Sequence, residues 1–311
     1  MSKEQLARNV DVLLIGSGII GSVYAAQLAL SGQPTWVYEH SEHDRDIAIN
    51  GIKTHDVESQ DVEIAKVELA KSPSERSYDL VLVAVSSDQL DSTFPILNML
   101  KGSPHIIVLG NNPDGYSRIP NELPGTIELG FPGIGGSRRD EIVEYVHIPQ
   151  QPTTLEAKPS QVSSRFEEVL KSRGFQIQRT SNIDGWLAYH SVLISSIAMA
   201  LIRSGIDASK LGNDRLLLKL MCQSIEEGYA ILKNKGTKGL PSNLAVLHQP
   251  ILRPFAERYW GRTMRSSMGE LCFAAHSRHA SDEMQALARW VVQQAAHSRA
   301  PHKHLDSLLS Q

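Results

Sequence analysis

V-D-V-L-L-I-G-S-G-I-I-G, from Val10 to Gly21, is the stretch on which the reading of this chain turns. An apolar run meets a glycine-punctuated loop, and a helix-like run of small residues, Ser22 to Leu30, follows. Gly32 then precedes a second apolar run, T-W-V-Y, that ends at Glu39. Strand, loop, helix and strand in this order make a dinucleotide-binding unit. Gly16 permits the tight turn off the strand. Gly18 lets a diphosphate approach the backbone, where the free N–H groups and positive end of the helix receive it. Gly21 lets the helix pack closely on the sheet. Ser17, Ile19 and Ile20 contribute backbone to the same loop. The plain alternative, a glycine-rich turn in an unrelated α/β domain, requires the strand, the helix and an acid at the roughly 20-residue offset to coincide by accident.

At 311 residues the chain is long for one core, so two domains are expected. Hydrophobic content of 41% and charged content of 21% are those of a soluble globular protein. A net charge of −3 gives no electrostatic reason to expect nucleic acid or an anionic membrane as partner. Cys222 and Cys272 make no disulfide framework and no metal-ligand spacing. The polar start lacks the apolar core of a signal peptide, and Ser191 to Ile202 reads as a buried helix too short to span a bilayer. These features make the expected location cytoplasmic.

Further along, Gly51 to Val67 alternates around a polar turn, as a hairpin or edge strand would. Tyr78 to Val85 and His105 to Leu109 are continuous apolar runs, the mark of strands buried on both faces of a parallel sheet. Gln89 to Leu100 reads as a helix. Thr126 to Phe131 and Ile142 to Ile148 read as strands separated by a loop, Pro132 to Gly136, whose glycines either bring backbone close to a bound dinucleotide or are ordinary turn glycines. Arg138 to Glu141 reads as a solvated turn that could present Arg138 to a substrate carboxylate. Ser160 to Arg173 is amphipathic, and Phe175 to Arg179 reads as a last strand. From Ile183 the chain is almost wholly helix-periodic: Ile183 to Arg203, Leu211 to Lys233, Leu244 to Trp260, Ser266 to Arg278 and Ser281 to Ala296. Arg299 to Gln311 reads as a loosely held polar tail. The expected fold class is α/β: a Rossmann-type parallel-sheet domain over residues 1–180, then an all-helical substrate or dimerisation domain over 181–311. That helical part has apolar faces enough to support a homodimer.

Glu39 can accept a hydrogen bond from the 2′-hydroxyl of an adenosine ribose, which leans the cofactor, NAD(P)H, mildly towards NAD. Arg45 could fold back on Glu39, and His40 could carry charge, to opposite effect. The layout as a whole resembles the ketopantoate reductases (2-dehydropantoate 2-reductases). The resemblance rests on G-S-G-I-I-G, the V-A-V-S strand end, V-L-G-N-N, I-P-Q-Q-P-T-T-L, a helix opening with Trp186, and R-S-S-M at Arg265 to Met268. It implies a dinucleotide domain, a helical domain closing over it, and reduction of a small keto acid between them. It also implies cofactor contacts at Val85 and at Ser86, where the family commonly has a lysine. Asn111 corresponds to the asparagine beside nicotinamide and substrate, and Ser267 to the serine that binds the substrate carboxylate. His40 stands where the family's NADP-reading arginine usually falls.

The departures follow Trp186. The family's general-acid lysine and its two helix asparagines correspond here to Ala188, Val192 and Ser196, and its glutamate to His279. Alanine cannot protonate an alkoxide, so the substrate is expected to differ from ketopantoate. Candidate proton donors are His190, which reads equally as a core histidine between helices, and His279, which could instead hydrogen-bond the nicotinamide ribose or lie on a solvated helix face. His190 lies about 200° round an ideal helix from Ala188, and Ser191 and Ser195 share the Ala188 face better as substrate contacts. His276 and His279 share a helix face, yet no third ligand accompanies them and no metal is expected. Glu270 could orient a histidine or cap a helix. The chain thus reads as an NAD(P)-dependent oxidoreductase of a small keto, hydroxy or imine compound. The rival is a non-catalytic nucleotide-sensing or partner-binding protein that kept the fold and lost the lysine.

Overall fold

The computed structural model describes residues 9–157 and 159–310, apart from the side chain of His279. In chain order the first part runs β1 (Val12–Ile15), α1 (Ile19–Leu30), β2 (Thr35–Tyr38), α2 (Glu42–Asn50), β3 (Ile52–Asp56), β4 (Val62–Ala65), β5 (Glu68–Ala70) and β6 (Leu80–Val83). It continues through α3 (Leu90–Leu97), β7 (His105–Leu109), β8 (Thr126–Phe131), β9 (Ile134–Arg139), β10 (Ile142–His147), β11 (Thr153–Glu156), α4 (Gln161–Ser172) and β12 (Ile177–Thr180). The second part is helical: α5 (Ile183–Arg203), α6 (Ala208–Asn213), α7 (Arg215–Asn234), α8 (Ser242–Leu247), α9 (Arg253–Met264), α10 (Ala275–His279), α11 (Ser281–Ala296) and α12 (Lys303–Leu309).

The chain divides into two compact units. One runs to Gly110 and takes in Ile119–Ser181; the other is Asn111–Arg118 with Asn182 onward. The excursion at Asn111–Arg118 is the difference from a single cut near residue 180.

In the first unit an eight-stranded sheet has the order β12-β11-β8-β7-β6-β1-β2-β5. Its central strands are parallel, and β11 runs antiparallel to β8. Their continuous apolar sequences are explained by burial on both faces: all of β1, β6 and β7 is buried. Because β1 and β6 are parallel neighbours, Gly16, Val85 and Gly110 all fall at the carboxyl edge, where α/β sheets bind ligands. A second sheet, β4-β3-β10-β9, contains the expected hairpin. It also contains a strand that the sequence reading took for a loop and a turn. Ile134–Arg139 pairs antiparallel with β10 over its whole length, so Arg138 is a strand residue and Asp140, at φ +54°, makes the turn. Two glycines of the Pro132 to Gly136 stretch allow close packing: a Cβ on Gly133 would stand 2.2 Å from Thr153 N, and one on Gly136 2.3 Å from Glu144 O.

The second unit is built around α5. This helix is long and apolar enough to cross a membrane, but 94% of its most apolar window is buried within the protein, as befits a core helix. Against it pack Met221, Ile225 and Tyr229 of α7 and Ala288 and Val291 of α11. The expected single helix Ser266 to Arg278 is broken: a π-helical turn, Gly269–Ala274, precedes α10. The expected loose tail is wrong as well. Leu305, Leu308 and Leu309 are buried on α12, and His304 Nδ1 meets Glu227 at 2.6 Å.

Candidate functional site

The glycine loop leaves β1 at Gly16, whose φ of +98° suits only glycine at low cost; a Cβ there would stand 2.5 Å from Ala84 O. At Gly21 a Cβ would stand 2.0 Å from Gly16 O, so this glycine brings α1 against the loop and strand. Gly18 is different. It is exposed, it caps α1, its backbone is ordinary (φ −63°, ψ −172°), and a Cβ there would meet nothing within 4 Å. No acid occupies the first turn of α1. Unbonded N–H groups of a helix start, open space in front of them and no competing carboxylate fit a diphosphate.

The Ser17 side chain is turned to the protein, its hydroxyl donating to Asp44 Oδ1 at 2.5 Å. At the end of β2, Glu39 is held by Arg45 Nε at 2.5 Å, and His40 is exposed with its N–H on Asp44 Oδ2. A carboxylate and a guanidinium therefore stand side by side at this strand end. Val85 and Ser86 are half-buried beyond β6, with Val85 Cγ1 against Gly16.

A second cluster forms within the helical unit. Asn111 is buried; its Nδ2 donates to Glu283 Oε1 at 3.2 Å, and its Oδ1 has no hydrogen-bond partner among the described residues. Glu283 is 4% exposed and sits in the first turn of α11, where the positive helix end favours a carboxylate. Its other oxygen, Oε2, faces His276 Nε2 at 3.7 Å. His276 lies on α10, directly after the π-helical turn, a distortion frequent at functional sites. Glu283 was missed by the sequence reading because S-D-E before an apolar run signals only a helix start.

The structure places the other expected residues as follows. His190 stacks on Trp186 one turn away, with ring centroids 5.2 Å apart and planes within 4°. Burial, helped by the charge of His276, pushes its pKa down to about 3, which favours the neutral ring at ordinary pH. Ser191 and Ser195 are fully buried, and their hydroxyls donate to Leu187 O at 2.8 Å and Val192 O at 3.3 Å. Those protons are committed to their own helix, and both side chains lie in the core of the helical unit. Glu270 pairs with Arg278 rather than orienting a histidine. Ser267 is exposed between α9 and the π-helical turn. His279 belongs to α10 by its backbone, and its side chain lies outside the described residues. Among the described residues no three histidine, cysteine or acidic side chains converge on a metal site.

Comparison with known proteins places these features in context. Residues 12–157 match the family model "Ketopantoate reductase PanE/ApbA". A PanE/ApbA family ketopantoate reductase from Ralstonia eutropha JMP134 is 18% identical, with 96% of each chain covered and a TM-score of 0.76. D-mandelate dehydrogenase, in a ternary structure with NADH and anilino(oxo)acetate, is 12% identical over 96% of each chain, at a TM-score of 0.72. A dimeric ketopantoate reductase from Staphylococcus aureus is 16% identical over 97% of this chain and 96% of that one, at 0.66. No curated protein matches the sequence. The resemblance read from the sequence stands, and the fold is that of the ketopantoate reductases.

Proposed function

We propose that the protein is an NAD(P)-dependent oxidoreductase acting on a small keto, hydroxy or imine compound other than ketopantoate. The observation that carries this reading is Gly18: an exposed helix start with unobstructed space where a side chain would stand, between two glycines that the fold itself requires. On this reading Gly16 to Gly21 hold the diphosphate through backbone N–H groups, with Val85 and Ser86 beside them. Glu39 takes the adenosine ribose, with a mild lean to NAD that Arg45 and His40 temper. When bound, the nicotinamide cofactor supplies or accepts the hydride.

The chain's own residues deal with the proton and the orientation. His276 exchanges the proton with the developing alkoxide or amine. Glu283 holds the imidazole and stabilises its charged form, as a buried carboxylate does for a catalytic histidine. Asn111, fixed by Glu283 through Nδ2, keeps Oδ1 available to a hydroxyl or amide donor. Ser267 receives the substrate carboxylate, and His279 remains the second candidate for proton transfer. A homodimer, as named for the Staphylococcus aureus structure, and a cytoplasmic location complete the proposal.

One observation favours the non-catalytic rival. At the family's lysine and asparagine positions Ala188 and Val192 are buried core, and Ser196 bonds Ser224 at 3.0 Å. The two readings part under one experiment. Binding of NADH and NADPH is followed by nicotinamide fluorescence, then 2-keto acids are screened for turnover with and without ammonium and small amines. Turnover that falls in His276→Asn supports the enzyme. Binding with no turnover over the whole screen supports the sensor, and absence of binding refutes both.

A further inference from the structure

The second residue of the glycine loop is gripped from three elements of the first unit. From α2, Asp44 accepts the Ser17 hydroxyl at 2.5 Å. From α1, the Ser22 hydroxyl donates to the Ser17 carbonyl at 2.9 Å. From β9, Arg138 Nη2 donates to the same carbonyl at 3.0 Å and reaches Ser22 Oγ at 3.4 Å, while Nη1 lies against the His43 ring. Asp44 is 3% exposed and also accepts from the N–H groups of His40 and Ser41 and from the Ser41 hydroxyl. Burial alone would raise its pKa, but the bonds from Ser17, Ser41 and those amides outweigh it and keep the carboxylate charged.

A peptide unit is planar and trans, so the carbonyl of residue 17 and the N–H of residue 18 point in opposite directions. Drawing the Ser17 carbonyl towards Arg138 and Ser22 turns the Gly18 N–H the other way. We propose that Arg138, acting with Asp44, is a positioning residue for a dinucleotide: it fixes the Ser17–Gly18 peptide so that its N–H faces the diphosphate. Loops of this kind turn readily, since glycine tolerates either peptide orientation. An unclamped loop must be ordered on binding, whereas a clamped one meets the ligand already set. The inference rests on the dinucleotide reading of the loop and deepens it. Nothing in R-R-D-E announces it, because Arg138 reaches the loop from a strand more than a hundred residues away in sequence.

The test compares three probes on the full chain, NADH, ADP and AMP, of which AMP alone lacks the diphosphate. Arg138→Met weakens NADH and ADP by roughly tenfold or more, as expected when a charge-assisted hydrogen bond is lost, and leaves AMP nearly unchanged. Arg138→Lys restores most of the lost affinity. Ser17→Ala, which removes only the bond to Asp44, gives a smaller loss in the same order and serves if Arg138→Met fails to fold. Equal weakening of AMP and ADP, or unchanged affinity for NADH and ADP in both variants, overturns the clamp and spares the dinucleotide reading. A wild-type protein that binds none of the three overturns both.

Discussion

Three alanine substitutions in the glycine loop separate what the fold needs from what a cofactor needs. Gly16→Ala forces a left-handed residue, at a cost of about 1–2 kcal/mol, and drives a methyl to 2.5 Å from Ala84 O. Overpacking of that kind adds about 1–3 kcal/mol, so the variant loses roughly 2–5 kcal/mol. Gly21→Ala regains about 1 kcal/mol of helix propensity. Its methyl would stand 2.0 Å from a backbone oxygen, which leaves it less stable overall. Gly18→Ala behaves otherwise. Its backbone angles suit alanine and its Cβ meets no atom. A gain of about 0.4–1 kcal/mol from a stiffer unfolded chain offsets a similar penalty for alanine at a helix N-cap. Its unfolding midpoint in urea stays close to wild type, while a methyl in the path of the diphosphate weakens NADH by roughly 5- to 150-fold, the equivalent of about 1–3 kcal/mol. Urea unfolding and NADH fluorescence titration on the three variants provide the check. A Gly18→Ala protein that binds NADH as wild type does would show that no diphosphate approaches there, and the functional reading would fall.

Other outcomes follow from the helical unit and from β2. His190 and His248 are buried, with pKa values pushed down by desolvation to about 3 and about 4, so both are neutral in the folded protein. Between those values and the unfolded value of about 6.5, the unfolded chain binds the extra protons. Stability is therefore complete above pH 6.5 and falls on acidification; at pH 5 each histidine removes about 2 kcal/mol. Urea midpoints measured from pH 7.5 to 5 should show this slope, and His190→Phe should flatten it; an unchanged slope refutes the assignment. His276→Asn and Glu283→Gln should each lower kcat, the former by roughly 10²–10⁴ as for a lost acid–base group, with NADH affinity intact. Arg45→Glu should weaken NADPH more than NADH, since it sets a second carboxylate beside Glu39; equal losses in a titration would remove Arg45 from cofactor selection.

The parallel core was legible because its signals are local. Apolar runs of strand length, glycines at fixed offsets and the switch to helical periodicity after residue 180 are each read within a few residues. Strand β9 was not, since I-G-G-S-R-R carries the composition of a turn and becomes a strand only by pairing with β10. With it went the reach of Arg138 to the loop. The terminal helix was misread for a different reason: Leu305, Leu308 and Leu309 have helical spacing, but the polar residues around them masked one buried face. That signal was present and underweighted.

The proton-handling residues expose a deeper limit. Counting along the helix from Trp186 leads to Ala188, and the nearest histidine, His190, proves to be a stacked neutral ring. The substitute proposed above comes from three separate segments: Asn111 after β7, His276 on α10 and Glu283 on α11. Of these, α10 and α11 lie close in sequence, yet the carboxylate becomes informative only once Asn111, 172 positions earlier, is seen to bond it. A buried glutamate at a helix start is favoured by the helix dipole and by the Asn111 amide, and its second oxygen stands 3.7 Å from His276 Nε2. On the proposed reading, an alanine at position 188 does not by itself argue loss of catalysis. A buried carboxylate 3.7 Å from a partly exposed imidazole is the arrangement on which the proposed proton transfer rests, and the kcat of His276→Asn decides it.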